Sequence, residues 1–403
     1  MKKKYLLLGL MTAALHTTAQ QAPADSLYKK QRVAETDIQI LFSYYTQDGN
    51  HSAVTGGTGT EELMVYAPEV NITHRRDSVQ TFTLNAGADI ITSASTDNID
   101  YVLSSASRVD MRSHINLGYN RRLGKSGLRA GIQAGLSVES DYTSLPVGIN
   151  LGRTARDGSH EWTASLLCYF DDLRWGRIDD DYWRPVSLVY PTELRYKEWY
   201  DTYRRTSYNL SFSWFQVVNR RVQVAIFPEL VYQKGLLSTP FHRVYFTDGS
   251  LKVEYLPEER WKFPLGLQAN IFAGSRLVIR SYYRFYQDNI GIRSHTFQLE
   301  LPVKLSPQFS IAPHARFYTQ TASRYFRPYA EHQVTEQYYT SDYDLSAFNS
   351  FKTGLNLRYT PQAKLMRHYT FREIGLRYAW YKRTDGLHAH MLSLLLDFNH
   401  TRR

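Results

Sequence analysis

Apolar side chains stand at every second position through most of this 403-residue sequence. The stretch 292–305, which reads IRSHTFQLELPVKL, carries the pattern over the length of one strand. Its alternating apolar positions are Phe297, Leu299, Leu301 and Val303. The positions between them include Gln298, Glu300 and Lys304. Successive side chains of a β-strand point to opposite faces, so a period of two predicts a strand with one apolar and one polar face.

About sixteen such runs follow one another along the chain, and each is about 10 to 16 residues long, a little more than the roughly 9 to 11 residues that a tilted strand needs to cross a bilayer. The predicted strands are 37–47, 60–75, 79–94, 109–121, 126–139, 143–153, 160–173, 205–218, 221–234, 261–273, 276–288, 292–304, 309–321, 346–360, 371–382 and 387–399.

The connections between these strands fall into two alternating sets. The even-numbered connections are tight turns rich in Gly, Asp, Asn, Ser or Pro, such as HRRDS, RLGKSG, TARDGS, VNRR, AGS and SPQ, and only PQAKLMRHYT is longer. The odd-numbered set includes every long loop, namely 48–59, 95–108, 174–204, 235–260 and 322–345. The remaining odd connections are short, at 140–142, 289–291 and 383–386. Short turns at one end and long loops at the other are typical of outer-membrane barrels.

Strands that cross lipid have to close into a barrel, because every backbone N–H and C=O must find a partner and no sheet edge can stay open. We therefore predict an all-β fold, a closed antiparallel transmembrane β-barrel of about sixteen strands, with both chain ends in the periplasm. A secreted soluble sandwich or propeller would also alternate, but it has no reason to sort its loops by length. The 31 Tyr residues suit the interfaces between lipid and water.

The N-terminus, MKKKYLLLGLMTAALHTTAQQ, has a positive start, a short apolar stretch and small residues before Gln20. These features predict a cleaved secretory signal peptide over residues 1–19. Residues 20–36 are polar and are expected to be a periplasmic lead-in, which leaves 37–403 for the barrel. The single cysteine, Cys168, provides neither a lipid anchor at the cleavage site nor a disulfide.

The chain is basic, with a formal net charge of +10. Removing the signal peptide removes three Lys and no acids, so 45 basic and 38 acidic side chains leave +7. A basic chain is compatible with nucleic-acid binding, but the export signal and the absence of any nucleic-acid-binding motif argue against such a partner.

Several segments resemble an uncharacterised family of bacterial outer-membrane β-barrels. The segments DNIGIRSHT and YYTSDYDLSAF are the most distinctive, and GLSVESDYTSLPVGINLG, VVNRRVQVAIFPELVYQKGLLSTPFHRVYF and LPEERWKFPLGLQANIF match as well. The resemblance covers most of the mature chain, and it implies an envelope location and a barrel fold. It provides no catalytic residues, and it points to envelope redox or flavinylation factors as partners.

Three sequence features invite a chemical interpretation, and each has a simpler one. His388 and His390 share a strand face, but a metal site needs a third ligand, so interfacial histidines are favoured. The acids in DDLRWGRIDDDYW lack the ligand spacing of a calcium loop. Because arginines lie among them, a local network of ion pairs is favoured. The alternative is a calcium ion that bridges these acids to lipopolysaccharide. The segment TGGTGTEE, residues 55–62, lacks the Lys and helix of a phosphate loop and is expected to be a flexible external loop. No enzyme activity, metal or cofactor is predicted.

The polar faces of the predicted strands carry the candidate functional residues of the lumen. They are Arg112, Arg129, Arg280, Arg284, Arg316, Arg358, Arg377, Glu300, Glu373, Tyr282, Tyr286 and Tyr318. We expect cross-strand ion pairs that stiffen the wall, with Arg280 and Arg284 near Glu300 and Arg316 approaching it from the other side. The alternative is a cationic lumen that favours anionic solutes.

Two further interpretations of the loops stay open at this stage. Tyr338, Tyr339 and Tyr343, in YYTSDYDLSAF, suit the aromatic belt at the headgroups. This loop, or the one that contains STPFHRVYFTDGS, could instead fold inward as a constriction, as porin loops do.

The function predicted from these features is a pore for small or extended solutes in the outer membrane of a Gram-negative bacterium. The expected partners are outer-membrane lipid and lipopolysaccharide, the outer-membrane assembly machinery and a small-molecule solute. A plugged structural or assembly barrel that works with periplasmic proteins is the alternative. A barrel hydrolase is disfavoured because no Ser, His and Asp converge in the sequence pattern.

Overall fold

The computed structural model of the protein describes residues 34–93, 110–124, 127–139, 142–173, 200–240, 242–366 and 368–402. The expected signal peptide, residues 1–19, lies outside these ranges, as does most of the expected lead-in. The predicted loop 95–108 and most of the predicted loop 174–204 also lie outside them. Within the described ranges, no helix has the length and apolar character that crossing a bilayer requires.

The alternating runs form β-strands, which are numbered here in chain order. They are β1 (Ala34–Asp48), β2 (Leu63–Arg75), β3 (Gln80–Ser93), β4 (Asp110–Leu123), β5 (Leu128–Glu139), β6 (Tyr142–Thr154), β7 (His160–Asp172), β8 (Arg204–Asn219), β9 (Val222–Gly235), β10 (Arg243–Tyr245), β11 (Leu251–Val253), β12 (Glu259–Ala273), β13 (Leu277–Asp288), β14 (Arg293–Glu300), β15 (Val303–Lys304), β16 (Phe309–Gln320), β17 (Phe348–Tyr359), β18 (Ala363–Met366), β19 (Tyr369–Arg383) and β20 (His388–Arg402).

Eighteen of these strands form one antiparallel sheet, and two pairs of them are pieces of a single wall strand. Both β14 and β15 lie between β13 and β16, and both β17 and β18 pair with β19. The wall therefore has 18 − 2 = 16 strands. The break between β14 and β15 falls at Pro302, which has no N–H to donate to a neighbouring strand. This break divides the predicted strand 292–304.

The first and last strands close the sheet. β1 pairs with β20 along its whole length, from Ala34 opposite Arg402 to Asp48 opposite His388. Because β1 also pairs with β2, and β20 with β19, both terminal strands have a neighbour on each side. The predicted all-β, closed antiparallel barrel of sixteen strands is therefore confirmed. β1 begins at Ala34, a few residues ahead of the predicted start at 37.

The wall has an apolar face and a polar face. Large apolar side chains are exposed at alternating positions, and Phe297 and Leu299 of the stretch 292–305 are exposed by 52% and 42%. The intervening side chains make hydrogen bonds and ion pairs. Two of these pairs, Arg129 with Glu161 and Arg284 with Glu229, reach over an intervening strand. Side chains converge in this way only on the concave side of a curved sheet, so the polar face is the inner face of the barrel.

The largest fully buried side chains lie in the loops and not in the wall. The small hairpin formed by β10 and β11 contains Val244, Phe246 and Val253, which are almost fully buried together with Tyr339 of a later loop. A second cluster joins Leu256 of the same loop to buried residues that follow β13 and β16. Its buried members are Leu256, Ile290, Ile292 and Leu345. The sequence pattern did not predict this packed loop region.

A charge introduced on the outer face of β14 should lower the free energy of unfolding more than the same charge on the inner face. Leu299→Arg puts a guanidinium on the outer face near the middle of the strand, where a cation in lipid costs about 2–4 kcal/mol. The adjacent Gln298→Arg puts the same group on the inner face and should cost less than about 1 kcal/mol. Urea unfolding of the protein in lipid vesicles measures both free energies, and equal losses for the two variants would contradict the assignment of the faces.

Candidate functional site

The structure places all twelve residues predicted for the lumen on the polar inner face. Five of the seven arginines have a carboxylate partner. The pairs, with their N···O distances, are Arg112–Asp89 at 3.7 Å, Arg129–Glu161 at 2.7 Å, Arg280–Glu300 at 3.3 Å, Arg284–Glu229 at 3.0 Å and Arg358–Glu373 at 2.5 Å. Partly exposed pairs of this kind contribute about 0.2–1 kcal/mol each, so they fix side-chain positions more than they stabilise the barrel. Their part in transport stays a prediction.

The expected approach of Arg284 to Glu300 is wrong, and strand register explains why. The approach of Arg316, which lies opposite Gln298, stays a prediction. Glu300 lies directly opposite Arg280, whereas Arg284 lies opposite Thr296, about 13 Å further along the strand. Arg284 turns instead toward β12, where its neighbour is Gly266. The Arg284 guanidinium reaches past β12 to Glu229 on β9, while the space over Gly266 is occupied by the Tyr282 ring.

Arg316 belongs to a different group of charges, which we call the basic patch: Arg316, Lys352 and Arg377. Lys352 lies directly opposite Arg316 across the β16–β17 pairing, and Arg377 lies opposite Asn356 on the other side of β17. Within the described part of the chain, no carboxylate oxygen comes within 4.0 Å of the cationic groups of Lys352 or Arg377. Lys352 and Arg377 therefore bring positive charge to the inner face that no carboxylate of the described residues pairs with.

Lys352 was missing from the residues predicted for the lumen, although its position could have been found. It lies in the predicted strand 346–360 and shares alternation parity with Arg358, so both point to the same face. That Lys352 lies opposite Arg316 could not be predicted in this way, because it depends on the register between two strands separated by a long loop.

Another part of the inner face is lined by small residues. Five glycines point inward on the neighbouring strands β4, β5 and β6: Gly118, Gly131, Gly135, Gly148 and Gly152. Asn116 and Asn120 lie across two of them, so closely that a Cβ at Gly135 or Gly131 would stand 2.0 Å from an asparagine oxygen. Because these five positions have no side chains, neighbouring polar side chains such as those of Asn116 and Asn120 lie over them, close to the wall.

The three predicted lumen tyrosines stand on β13 and β16. The Tyr286 hydroxyl donates to Asp288 at 2.8 Å, and the Tyr318 hydroxyl donates to Gln320 at 2.5 Å. The hydroxyl of Tyr282 lies over Gly266, where an added Cβ would approach it to 2.8 Å. Tyr286 and Tyr318 are thus held by polar partners on their own strands and do not reach across the lumen.

Three loops at one end of the barrel pack together into what we call the loop cap: loops 49–62, 236–258 and 321–347. His51 of the first stacks on Tyr343 of the third, with ring centroids 3.8 Å apart. Backbone hydrogen bonds join Tyr255 to Tyr339 in both directions, at 2.8 and 3.1 Å. A Cβ at Gly56 would come within 2.6 Å of the Tyr245 ring. The three loops are therefore in direct mutual contact.

The contact between loops 49–62 and 236–258 spans the mouth of the barrel. Sixteen strands give eight hairpins at this end, and the hairpins β1–β2 and β9–β12 are the first and the fifth in sheet order. They lie four hairpins apart in either direction and hence on opposite sides of the ring. Strands about 4.8 Å apart and tilted by about 40° give a barrel about 30 Å across. Two opposite loops that touch must cross this opening between them.

Two expectations about these loops are corrected by the packing. The segment 55–62 is not a free flexible loop, because residues Ala53–Thr55 form a 3-10 turn and Gly57 packs against Ser341. Tyr338, Tyr339 and Tyr343 do not form a belt toward the headgroups, because they pack on rings of the loop cap. Tyr339 meets Phe246 edge to face at 4.9 Å between centroids. Of the two interpretations left open for this loop, constriction is the one that the contacts favour.

The remaining candidates have structural partners. His390 lies on the apolar face and its Nδ1 is 2.9 Å from the Tyr378 hydroxyl, and Cys168 lies on the same face. Asp171 is buried and accepts from Arg205 at 2.8 Å and from Ser144 at 2.6 Å. The acids that follow it in DDLRWGRIDDDYW, from Asp179 on, lie outside the described residues.

The chain belongs to the family described as "Protein of unknown function (DUF3570)", whose model matches residues 7–386. No curated protein of known function matches it.

Among solved structures, the chain is similar to several outer-membrane proteins of pseudomonads. OccK1 (OpdK) of Pseudomonas aeruginosa is 10% identical with a TM-score of 0.40, and the match covers 92% of this chain and 99% of that one. A BenF-like porin of Pseudomonas fluorescens Pf-5 is 7% identical with a TM-score of 0.43, over 91% and 99% of the two chains. OprD of Pseudomonas aeruginosa is 8% identical with a TM-score of 0.41, over 92% and 94%. What these proteins transport says nothing about this chain.

Truncating a buried ring should loosen the loop cap and leave the wall intact. Phe246→Ala should cost about 3–5 kcal/mol of cap stability, because it removes a fully buried aromatic side chain. If a protease cuts only the opened cap, and the cap opens and closes faster than it is cut, the variant should be cleaved more than about a hundredfold faster than the wild type. Val334→Ala is the control, since Val334 is exposed in the same cap. Equal cleavage rates for the two variants would show that the cap is not packed as described.

Proposed function

We propose that this protein is a passive outer-membrane pore with a narrowed external mouth and a preference for small anionic solutes. The observation that carries the proposal is the basic patch on the inner face of a closed sixteen-strand barrel. The long loops would then face the outside of the cell, and both chain ends the periplasm.

Barrel width supports a pore. Eight-stranded barrels are filled by their own side chains, whereas barrels of about 16 strands leave an aqueous channel unless loops close it. The inner face of this barrel has five glycines on β4, β5 and β6, over which neighbouring asparagine and glutamine side chains lie close to the wall. Loops that cross the mouth would reduce this opening and set an upper limit on solute size.

Charge supports the anion preference. Most arginines of the inner face are neutralised by carboxylates, so they add little net field. Lys352 and Arg377 have no such partner among the described residues, and Lys352 lies directly opposite Arg316. A lumen wall with an excess of fixed positive charge lowers the free energy of an anion near it and raises that of a cation.

A second candidate function is a plugged barrel that serves as a structural or assembly partner of periplasmic proteins, including envelope redox or flavinylation factors. The contact of loops from opposite sides of the mouth favours it, because a cap that closes the opening completely would stop conduction. In either case the apolar face contacts lipid and lipopolysaccharide, and the outer-membrane assembly machinery inserts the barrel. Catalysis is not part of either proposal.

Selectivity measurements on a charge-matched pair of variants test the proposal. The wild-type protein in planar bilayers should conduct, and a salt gradient should give a reversal potential of the sign that anion preference requires. Lys352→Gln should lower the anion-to-cation permeability ratio about tenfold, since one charge about 6 Å away in water contributes about 0.7 kcal/mol of attraction to an anion and as much repulsion to a cation. Lys382→Gln removes the same charge from the outer face of the neighbouring strand β19 and should leave the ratio unchanged.

Each outcome of this experiment decides between the candidates. A wild-type pore without anion preference, or equal effects of the two lysine variants, would contradict the role of the basic patch. A correctly folded protein that never conducts would contradict the pore and favour the plugged barrel. Heat-modifiability on a gel, the shift in mobility between folded and boiled barrel, checks that each sample is folded.

A further inference from the structure

A cluster of three metal-ligand side chains lies inside the loop cap, apart from the basic patch. His242 and Glu254 come from loop 236–258, and Asp342 comes from loop 321–347. The His242 Nδ1 atom is 3.5 Å from Glu254 Oε1 and 3.9 Å from Asp342 Oδ2. All three ligand atoms lie within 4.8 Å of one another. The cluster therefore bridges two of the three loops of the cap.

The His242 Nδ1 atom lacks the hydrogen bond that a buried nitrogen requires. It is shielded from solvent and has no hydrogen-bond partner among the described residues. An unsatisfied buried polar atom costs about 1–3 kcal/mol, so it calls for a ligand. The distances from this nitrogen to the two carboxylate oxygens are longer than ordinary hydrogen bonds. They are close to the separation of two ligand atoms on one tetrahedral metal ion, which is roughly 3.3 Å when each metal–ligand bond is about 2.0–2.1 Å long.

The two carboxylates are held by outer partners, and one oxygen of each faces His242. Glu254 accepts from the Thr239 backbone N–H at 2.7 Å through Oε2, and from the Thr340 hydroxyl at 2.5 Å through Oε1. Asp342 accepts from the Asp344 backbone N–H at 2.8 Å through Oδ1, and its Oδ2 faces the imidazole. Outer hydrogen bonds that orient ligands in this manner are a regular part of protein metal sites.

The cluster is short of positive charge. The carboxylate of Asp344, two residues after Asp342, adds a third acid beside the cluster. Asp344 itself is neutralised by Arg383, at 2.5 Å. A neutral imidazole with two carboxylates carries two negative charges, which one divalent cation would balance.

We infer that His242, Glu254 and Asp342 bind a divalent transition-metal ion of the Zn²⁺ type and thereby clamp loop 236–258 to loop 321–347. The imidazole nitrogen selects against Ca²⁺ and Mg²⁺, which prefer oxygen ligands alone. Three protein ligands leave the fourth tetrahedral position for water. The clamp is independent of solute preference, because it holds the cap whether the barrel conducts or not.

Metal binding by the folded, full-length protein in detergent micelles tests the inference. After dialysis against a chelator, titration calorimetry with Zn²⁺ should give one site per chain, and Co²⁺ should give the visible absorption of a four-coordinate site. His242→Gln and Asp342→Asn should each weaken binding at least tenfold, as expected for the loss of a ligand. His160→Gln is the matched control, since it changes a histidine at the short-turn end of the barrel.

Proteolysis of the loop cap provides a second test of metal binding at this cluster. Zn²⁺ at ten times its wild-type dissociation constant should slow cleavage of loop 236–258 by about elevenfold in the wild type, and by about twofold or less in Asp342→Asn. The inference is overturned if the wild type does not bind Zn²⁺ or Co²⁺, or if both ligand variants bind as tightly as His160→Gln. Such results would identify the cluster as a protonated His242 held between carboxylates. Neither result bears on whether the barrel conducts.

Discussion

Backbone hydrogen bonding between the first and last strands is the interaction on which the rest of this structure depends. Pairing of β1 with β20 over their whole length removes the two edges that an open sheet of sixteen strands would leave. In lipid each unpaired backbone group costs several kcal/mol, so closure outweighs the contribution of about 0.2–1 kcal/mol from any side-chain ion pair of the wall. Closure also divides each strand into an inner and an outer face.

Register then decides which inner side chains meet. Arg280 meets Glu300 because the two are directly opposite, whereas Arg284 lies opposite Thr296 and reaches over β12 to Glu229. Lys352 is brought next to Arg316 by the same kind of pairing. The basic patch therefore results from the register of β16, β17 and β19, and a slip of one residue would turn its side chains to the outer face.

Much of the wall could be predicted from the sequence, because alternation is a local signal that each strand carries by itself. The stretch 292–305 is an example, since its exposed residues Phe297 and Leu299 were assigned to the outer face from spacing alone. Loop length also identified the end of the barrel where the cap lies. The contact of Arg284 with Glu229 could not be predicted in this way, because it depends on distances across strands.

The loop cap was the least predictable part, for a related reason. His51, Tyr245 and Tyr343 are far apart in the sequence, and no periodic pattern connects them. They meet because closure places the hairpins β1–β2 and β9–β12 on opposite sides of one ring. The cluster of His242, Glu254 and Asp342 has the same origin, since one of its ligands comes from a different loop. Loop segments have no periodic sequence pattern, so their contacts can be recognised only once the fold that brings them together is known.

The central claim is that loops crossing the mouth narrow an otherwise wide barrel. The most direct test is single-channel conductance of a variant in which residues 50–60 are replaced by a short Gly-Ser turn, measured beside the unchanged protein. The loss of the contacts of His51 and Gly57 with loop 321–347 opens one side of the cap, so the variant should conduct more than the unchanged protein. Equal conductance of two correctly folded proteins would contradict a cap that limits passage.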